Sequence, residues 1–515
     1  MSKDNIVQLF PLRGSSGALL SGEECGRPVV YTDDQPRDVL QNTLKVMDDA
    51  NDPPVMFRRA GQLVGLTFPR EGEAPHIVPQ SKRRLFRLLI DVADWRKKTA
   101  RGDAPSSPPS RILDAILEEP SQDIPELEAV TAVPIFGKDF EFINRPGYHM
   151  SQRLYFHDAH GLAALASERL DVTEARRIPL EAIHDFPFPE RADQAHAVAL
   201  IMLPLMRMAL GNAPTPLHLI ESPSPGSGKG RLADLVSVIA TGSPCKPVTM
   251  SGCASENRKR LTSLMMTGAP LILLDNIPQK HILDDAGLAS VLTTTQPADR
   301  LLGGNRIVSP KNHAVWLLTG NNVRSTLEIA RRSVRIRIDA RTDRPWLRNG
   351  FLHGDLLDWA WRQRPRLVQA CISLIQAWLD EGKPRWQGTP LGSFEEWSAV
   401  MGGILEVAGI PGFLENTERA YVDADIETEE WHALTRLWWE RFASVPVRAS
   451  DLHDLCLRND LLAEVLGFGG VRSQTSRLGR ALNRNIDRFF GDLQIVQERG
   501  VARSSARYNL KRHEQ

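Results

Sequence analysis

The stretch Leu219-Ile220-Glu221-Ser222-Pro223-Ser224-Pro225-Gly226-Ser227-Gly228-Lys229-Gly230 decides how the chain is read. An apolar run (Leu217, Leu219, Ile220) gives way to a Pro/Ser/Gly turn, then to a helical pattern from Arg231 to Ile239. That is the strand–loop–helix setting of a phosphate-binding loop. Amides of a tight glycine turn point at phosphate oxygens, the helix N-terminus adds the positive end of its dipole, and a lysine reaches the β and γ phosphates. The residues expected at a nucleotide are Pro225, Gly226, Ser227, Gly228, Lys229, Gly230 and Arg231. Two positions depart from the usual pattern. Its first glycine falls on Pro223, and proline also fixes a turn. The hydroxyl that normally follows the lysine and holds Mg²⁺ is replaced by Gly230, which removes a metal ligand. Ser224, Ser227 or water are the substitutes at hand.

Two further apolar runs end in polar groups: Pro270-Leu-Ile-Leu-Leu-Asp275-Asn276-Ile277 and Val315-Trp-Leu-Leu-Thr319-Gly-Asn321-Asn322. Continuous apolar runs are the mark of central strands in a parallel sheet covered on both faces, with function at their carboxyl ends. Asp275 follows Lys229 by 46 positions and is expected to hold Mg²⁺. Asn276 stands where many ATPases carry the glutamate that polarises the attacking water; an asparagine orients water but does not take its proton. That leaves Glu221, Glu256, Asp284 and Asp285 as alternative bases, among which the sequence does not choose. Asn321 follows Asp275 by another 46 positions, and its amide both donates and accepts, as holding a lytic water or a γ-phosphate requires. Arg331 and Arg332 come next as candidate arginine fingers. Arg335 and Arg337 alternate with Val334, Ile336 and Ile338 and read as the exposed face of a strand, outside the site.

The 515 residues suggest about three or four domains. Composition is ordinary globular, 42% hydrophobic and 24% charged, with zero net charge, so no global field advertises a nucleic-acid partner. The charge is uneven, however: residues 471–515 carry ten Lys/Arg against four Asp/Glu. Arg477, Arg480, Arg484 and Arg488 recur on one helical face, and Arg499, Arg503 and Arg507 follow on a predicted hairpin. Together they suit a helix in a DNA groove with a basic wing on the phosphates. Gly303-Gly304-Asn305 marks another hairpin turn, beside which Arg306 and Lys311 are candidate contacts to a DNA backbone. The five cysteines contain no Cys-x-x-Cys pair, which argues against a zinc ribbon or a disulfide framework. No apolar signal core and no run of about 20 apolar residues is present, so a cytoplasmic, reducing location is expected.

The expected organisation is a mixed α/β N-terminal domain over 1–185, a nucleotide-binding core over 186–345, a helical domain over 346–445 and a winged helix over 446–515. In the first, 55–68 reads as a hairpin around Ala60-Gly61, 81–95 as a helix, 100–110 as a loop and 133–156 as short strands. Asp139 and Glu141 are weak metal candidates there, and a docking role is favoured. The tryptophans between 346 and 439 read as core. In the last, Ser473 is expected to cap a helix running to Phe490.

Gly-Ser-Gly-Lys229, Leu-Leu-Asp-Asn276, Thr-Gly-Asn-Asn322 and Ala-Arg-Arg332, in this order and spacing, resemble the AAA+ ATPases. The resemblance is closest to phage- and plasmid-encoded primase–helicases related to superfamily 3 helicases. Asp299-Arg-Leu-Leu-Gly303, Gly392-Ser-Phe-Glu-Glu-Trp397 and Arg-Leu-Gly-Arg-Ala-Leu482 extend it over about 130–515. It implies an α/β, AAA+-type P-loop core with a helical lid, assembled as a homo-oligomer, a hexamer-like ring. It also implies ATP with Mg²⁺ as cofactors, and single-stranded or forked DNA as partner. By residue, it gives Lys229 the phosphates, Asp275 the metal, Asn321 the sensor role and Arg331 or Arg332 the finger reaching a neighbour. Many relatives carry a primase module in front; this chain lacks its signature, so a separate primase or other replication protein becomes a candidate partner. The activity expected is that of an ATP-hydrolysing DNA helicase or translocase of a prophage or plasmid. Gly230 and Asn276 leave an alternative, an ATP-binding initiator or loader that uses nucleotide as an assembly switch.

Overall fold

The computed structural model describes residues 27–68, 75–251, 253–277, 282–300, 307–424, 426–467, 469–498 and 506–513. They form two compact units, divided between Thr417 and Glu418. The first unit is built on a five-stranded sheet: β1 (Leu217–Ser222), β2 (Val248–Thr249), β3 (Leu271–Ile277), β4 (Val315–Asn321) and β5 (Ser333–Arg337). The strands lie in the order β2-β3-β4-β1-β5, and every neighbouring pair is parallel. Leu217, Ile220, Leu274, Trp316, Leu317, Leu318 and Ile336 are fully buried, as expected of strands covered on both faces. Packed against the sheet are α1 (Arg191–Met206), which contacts β5, and α2 (Lys229–Thr241), which contacts β1 and β4. The chain leaves β1 for the far edge of the sheet, returns through β3 and β4, then passes to the other side of β1 for β5. The crossovers after β1 and β4 therefore diverge. This is a topological switch point, where a crevice opens beyond the carboxyl ends of the strands.

Ahead of this core stand small sheets and helices. Met56–Arg59 pairs antiparallel with Gln62–Thr67, as the 55–68 pattern predicts, and Ala60 and Gly61 take the positive φ (46° and 75°) of a tight hairpin turn. Ser81 caps helix Lys82–Val92, accepting from Arg84 N. The expected loop at 100–110 is instead half a hairpin, for Gly102–Pro105 pairs with Asp94–Thr99. Asp139 lies in a tight turn, and Glu141 accepts from Gln152 Nε2 at 2.6 Å. Arg59 and Glu128 are among the described side chains that tie this region to the sheet and its helices. Arg59 donates to the carbonyls of Met265 and Met266 at the end of α3 (Ala254–Met266), the helix before β3. Glu128 accepts from Lys311 (2.7 Å) and His313 (3.1 Å), in the lead-in to β4.

After the sheet, the two helical patterns at 357–361 and 367–379 merge into one 25-residue helix, α4 (Leu356–Asp380). Trp378, Trp397, Trp431 and Trp438 are core, but Trp346 and Trp361 are not, at 58% and 51% exposed.

The second unit has its own core. Trp431 and Trp438 of helix Ile426–Phe442 pack with Leu452, Leu478, Phe490, Ile495 and Leu510. That helix therefore shares its apolar face with the C-terminal elements, ahead of the expected 446 boundary. Around it lie α5 (Ala449–Arg458), the short helix Ala463–Leu466, α6 (Val471–Arg484), and an antiparallel sheet of Phe489–Phe490, Leu493–Gln497 and Tyr508–Arg512. Ser473 is not the cap. Gly470 precedes α6, and the helix stops at Arg484 because Asp487 (φ 64°) turns the chain into the sheet.

Candidate functional site

The loop from Pro223 to Gly228 joins β1 to α2 at the switch point. Gly226 (φ 75°) and Gly228 (φ 105°) adopt left-handed conformations that favour glycine. Gly228 immediately precedes α2, whose first N–H groups have no partner within the helix and carry the positive end of its dipole. Aromatic rings line the loop. A Cβ on Gly226 would lie 3.1 Å from Trp346 Cβ, and one on Gly228 would lie 3.3 Å from Phe186 Cε1. Pro225, Gly226, Gly230 and Arg231 are exposed, and Ser227 is buried.

Lys229 turns back over the loop. Its Nζ donates to Asn321 Oδ1 at 2.6 Å, to Ser227 Oγ at 3.3 Å and to Ser224 O at 3.4 Å. Burial lowers the pKa of this ammonium, while the charges of Asp275 and Glu221 pull it back up. Beside it, the Thr319 hydroxyl donates to Asp275 Oδ1. Thr319 and Asn321 lie two residues apart on β4 and so share a face of the sheet. An ammonium, an amide, a hydroxyl and a carboxylate thus converge at the carboxyl ends of β1, β4 and β3. Such a cluster can hold an anion on the loop amides and Lys229. The hard oxygen donors of Asp275 and Thr319 fit Mg²⁺, although position 230 supplies none. Ser227 is occupied by Lys229, so the hydroxyl that lies at Asp275 is that of Thr319. Among the described residues no group of three or more His, Cys, Asp or Glu is placed to hold a metal; a site here draws instead on one carboxylate and its neighbours.

The other predicted residues divide clearly. The Asn276 side chain, Arg306 and Arg503 lie outside the described residues. Arg335 and Arg337 are not an exposed face. Both bind Glu221, at 2.5 and 2.9 Å, and Glu221 is buried at 2% exposure. Two guanidiniums thus occupy the Glu221 carboxylate, which is committed to an ion-pair network rather than open to a water. Asp285 caps helix Ala286–Thr293, accepting from Leu288 N, and also accepts from Asn257. Asp284 is exposed and Glu256 half-buried, and neither is paired with a cation among the described residues. Arg331 and Arg332 lie just before β5, whose first residue pairs with Leu217 at the start of β1. They are therefore at the amino edge of the sheet, away from Lys229 of the same chain. Arg332 is engaged with Glu328, whereas Arg331 is exposed and its side chain makes no bond among the described residues. Lys311 is bound to Glu128 rather than open to a phosphate. Arg477 donates to Leu466 O at 2.9 Å, Arg480 and Arg484 are exposed, and Arg488 lies beyond the end of α6.

Sequence reasoning missed Thr319, Phe186 and Trp346 as neighbours of the site. Thr319 carried a signal, the two-residue spacing to Asn321. The two aromatics, distant in sequence from the loop, carried none.

No family model matches the sequence, and no curated protein resembles it. Solved structures that align with it include the NrS-1 C-terminal region in its apo A form, at 11% identity and TM-score 0.35, covering 87% of this chain and 96% of that one. Others are the SCCmec type IV Cch active helicase (11%, 0.34, 89% and 97%) and an inhibitor-bound JCV helicase (16%, 0.22, 48% and 71%). No described helix is long and apolar enough to cross a membrane.

Proposed function

We propose that this chain binds ATP with Mg²⁺ in the crevice at β1, β3 and β4, hydrolyses it between subunits of a homo-oligomeric ring, and uses the energy to translocate on or unwind DNA. The observation that supports this best is the convergence of Lys229, Asn321, Thr319 and Asp275 beyond a left-handed glycine loop at the head of α2. In this reading the loop amides and Lys229 hold the triphosphate, and the Asn321 amide, now accepting from Lys229, orients the attacking water. Asp275 and Thr319 hold Mg²⁺, which neutralises charge on the phosphates. Arg331 of a neighbouring subunit meets the γ-phosphate, because within one chain it lies at the opposite edge of the sheet. The wing-like second unit, through Arg480 and Arg484, contacts DNA, in a protein of prophage or plasmid replication. Lys229→Ala is expected to abolish ATP turnover. Turnover unchanged by that substitution overturns the reading.

A second reading keeps nucleotide binding without unwinding, so that ATP serves as an assembly switch for a replication initiator or loader. Gly230, which brings no hydroxyl, and Glu221, which is committed to Arg335 and Arg337, favour it. Strand displacement on a forked duplex separates the two. ATP-dependent unwinding rejects the switch, and tight nucleotide binding with negligible turnover and no displacement supports it.

A further inference from the structure

Residues 81–101 read Ser-Lys-Arg-Arg-Leu-Phe-Arg-Leu-Leu-Ile-Asp-Val-Ala-Asp-Trp-Arg-Lys-Lys-Thr-Ala-Arg, with eight Lys/Arg against two Asp in a chain of zero net charge. The fold gathers them onto one small module. Helix Lys82–Val92 buries Leu85, Leu88 and Leu89 in a core shared with Val30, Trp95 and Ile112. Its other side carries Arg83, Phe86, Arg87 and Ile90, spaced i, i+3, i+4 and i+7 and all exposed. One residue after the helix the chain enters the hairpin Asp94–Thr99/Gly102–Pro105, where Arg96, Lys97, Lys98 and Arg101 are all exposed.

The hairpin is braced at its root. Trp95 Nε1 donates to Leu89 O at 2.9 Å, tying it to the last turn of the helix. Thr32 N donates to Arg96 O, and Asp33 accepts from Lys98 N. Several cations are committed within the protein: Lys82 to Asp114, Lys98 to Asp34 and to the face of Tyr31, and Arg96 loosely to Asp94 at 4.0 Å. Arg83, Arg84, Arg87, Lys97 and Arg101 are different. Their side chains make no hydrogen bond or ion pair among the described residues. Five exposed cations on a helix and hairpin braced against one core, with an aromatic ring set between two of them, amount to more than a solvated face.

We propose that this helix and hairpin form a nucleic-acid-binding surface that grips the sugar–phosphate backbone. The helix, about 16 Å long at 1.5 Å per residue, presents guanidiniums suited to phosphate oxygens. The hairpin supplies a second basic arm from the same core. Phe86, 36% exposed between Arg83 and Arg87, offers an edge for an unstacked base. Charge that continues from helix to hairpin favours a backbone over a bilayer, which a single amphipathic helix face would suit. The surface does not depend on the nucleotide site, and it gives the region before the sheet a function of its own.

The test uses the full chain carrying Arg83→Gln, Arg84→Gln, Arg87→Gln, Lys97→Gln and Arg101→Gln together. All five are exposed, so the melting temperature and ATP binding serve as controls and are expected to stay unchanged. Binding to a fluorescent duplex and to a single strand is measured by anisotropy from 50 to 200 mM salt. Each phosphate contact contributes about 0.9 to the log–log salt slope for duplex and about 0.7 for a single strand. The variant is expected to lose affinity at least about ten-fold at low salt, with the slope smaller by up to roughly 4.5 for duplex and roughly 3.5 for a single strand. A greater loss on one substrate than on the other identifies whether duplex or single strand is the natural partner. Phe86→Ala is expected to weaken the single strand selectively. Unchanged affinity and slope in a folded variant overturns the proposal. So does displacement of the oligonucleotide by polyglutamate or anionic vesicles at equal charge, which points to an acidic protein or a membrane.

Discussion

Removing the carboxylate of Glu128 tests how the region before the sheet is held to it. The side chain is 6% exposed, accepts from Lys311 at 2.7 Å and His313 at 3.1 Å, and lies 3.0 Å from Arg153. Burial works to raise this carboxyl, but the hydrogen bonds from His313 and Lys311 outweigh it and bring the pKa down to about 2 from 4.5. A carboxyl lowered from 4.5 to about 2 on folding corresponds to roughly 3 kcal/mol of net stabilisation. The gross attraction across 2.7 Å is about 6 kcal/mol at an effective dielectric near 20, and desolvation offsets part of it. Glu128→Ala is therefore expected to cost about 3 kcal/mol at pH 7 in a urea titration of the full chain. Much of that cost is the half-buried Lys311 left unpaired, so Glu128→Leu with Lys311→Met should recover at least about half. The sign with pH follows from a depressed folded pKa. The contribution is complete above about 4.5 and fades as pH falls towards 2, so the gap between wild type and Glu128→Ala should shrink to less than half of its pH 7 value by about pH 3. A cost below about 1 kcal/mol at pH 7, or a gap that does not narrow in acid, refutes the reasoning.

Acid should weaken the first unit through its buried histidines as well. His196 donates from Nδ1 to Arg335 O, accepts at Nε2 from Leu414 N, and is brought by burial to about 4. The unfolded chain then takes up a proton near pH 6.5 that the folded one refuses, costing about 2 kcal/mol at pH 5. Urea midpoints that stay flat between pH 7 and 5 would be the contrary result. Gly226→Ala meets both a positive φ and Trp346, so it should cost about 1–3 kcal/mol and weaken nucleotide binding measured by calorimetry; unchanged affinity argues against this loop geometry. Gly230→Ser meets nothing within 4 Å, so the protein should fold as well as wild type and gain turnover if the absent hydroxyl limits it. Arg331→Ala should lose ATP turnover yet bind nucleotide, whereas Arg332→Ala should chiefly cost stability by releasing Glu328; the opposite pattern in a steady-state assay reassigns the finger.

The sheet core was legible because its strands are largely apolar runs that lead into the Lys229 loop or end in Asp275 and Asn321, a pattern local to each segment. What the sequence concealed is pairing between distant segments. The parallel register sets Glu221 opposite Arg337, which turned two arginines read as a solvated face into the partners of a buried carboxylate. Leu274 opposite Leu318 likewise brings Asp275 to Thr319. Lys311 read as a phosphate contact because its partner Glu128 lies far upstream. Tryptophan spacing gave no means to separate buried Trp378 from exposed Trp346. The second hairpin strand, Gly102–Pro105, was hidden by residues that otherwise favour loops, and its pairing with Asp94–Thr99 overrode that preference.

The most direct test of the central claim is titration calorimetry of the intact protein with a non-hydrolysable ATP analogue and Mg²⁺, beside Lys229→Ala and Asp275→Asn. One analogue should bind per chain, Lys229→Ala should abolish the heat, and Asp275→Asn should remove its dependence on Mg²⁺. Equal binding by wild type and Lys229→Ala would contradict the account, because the triphosphate would then sit somewhere other than the glycine loop.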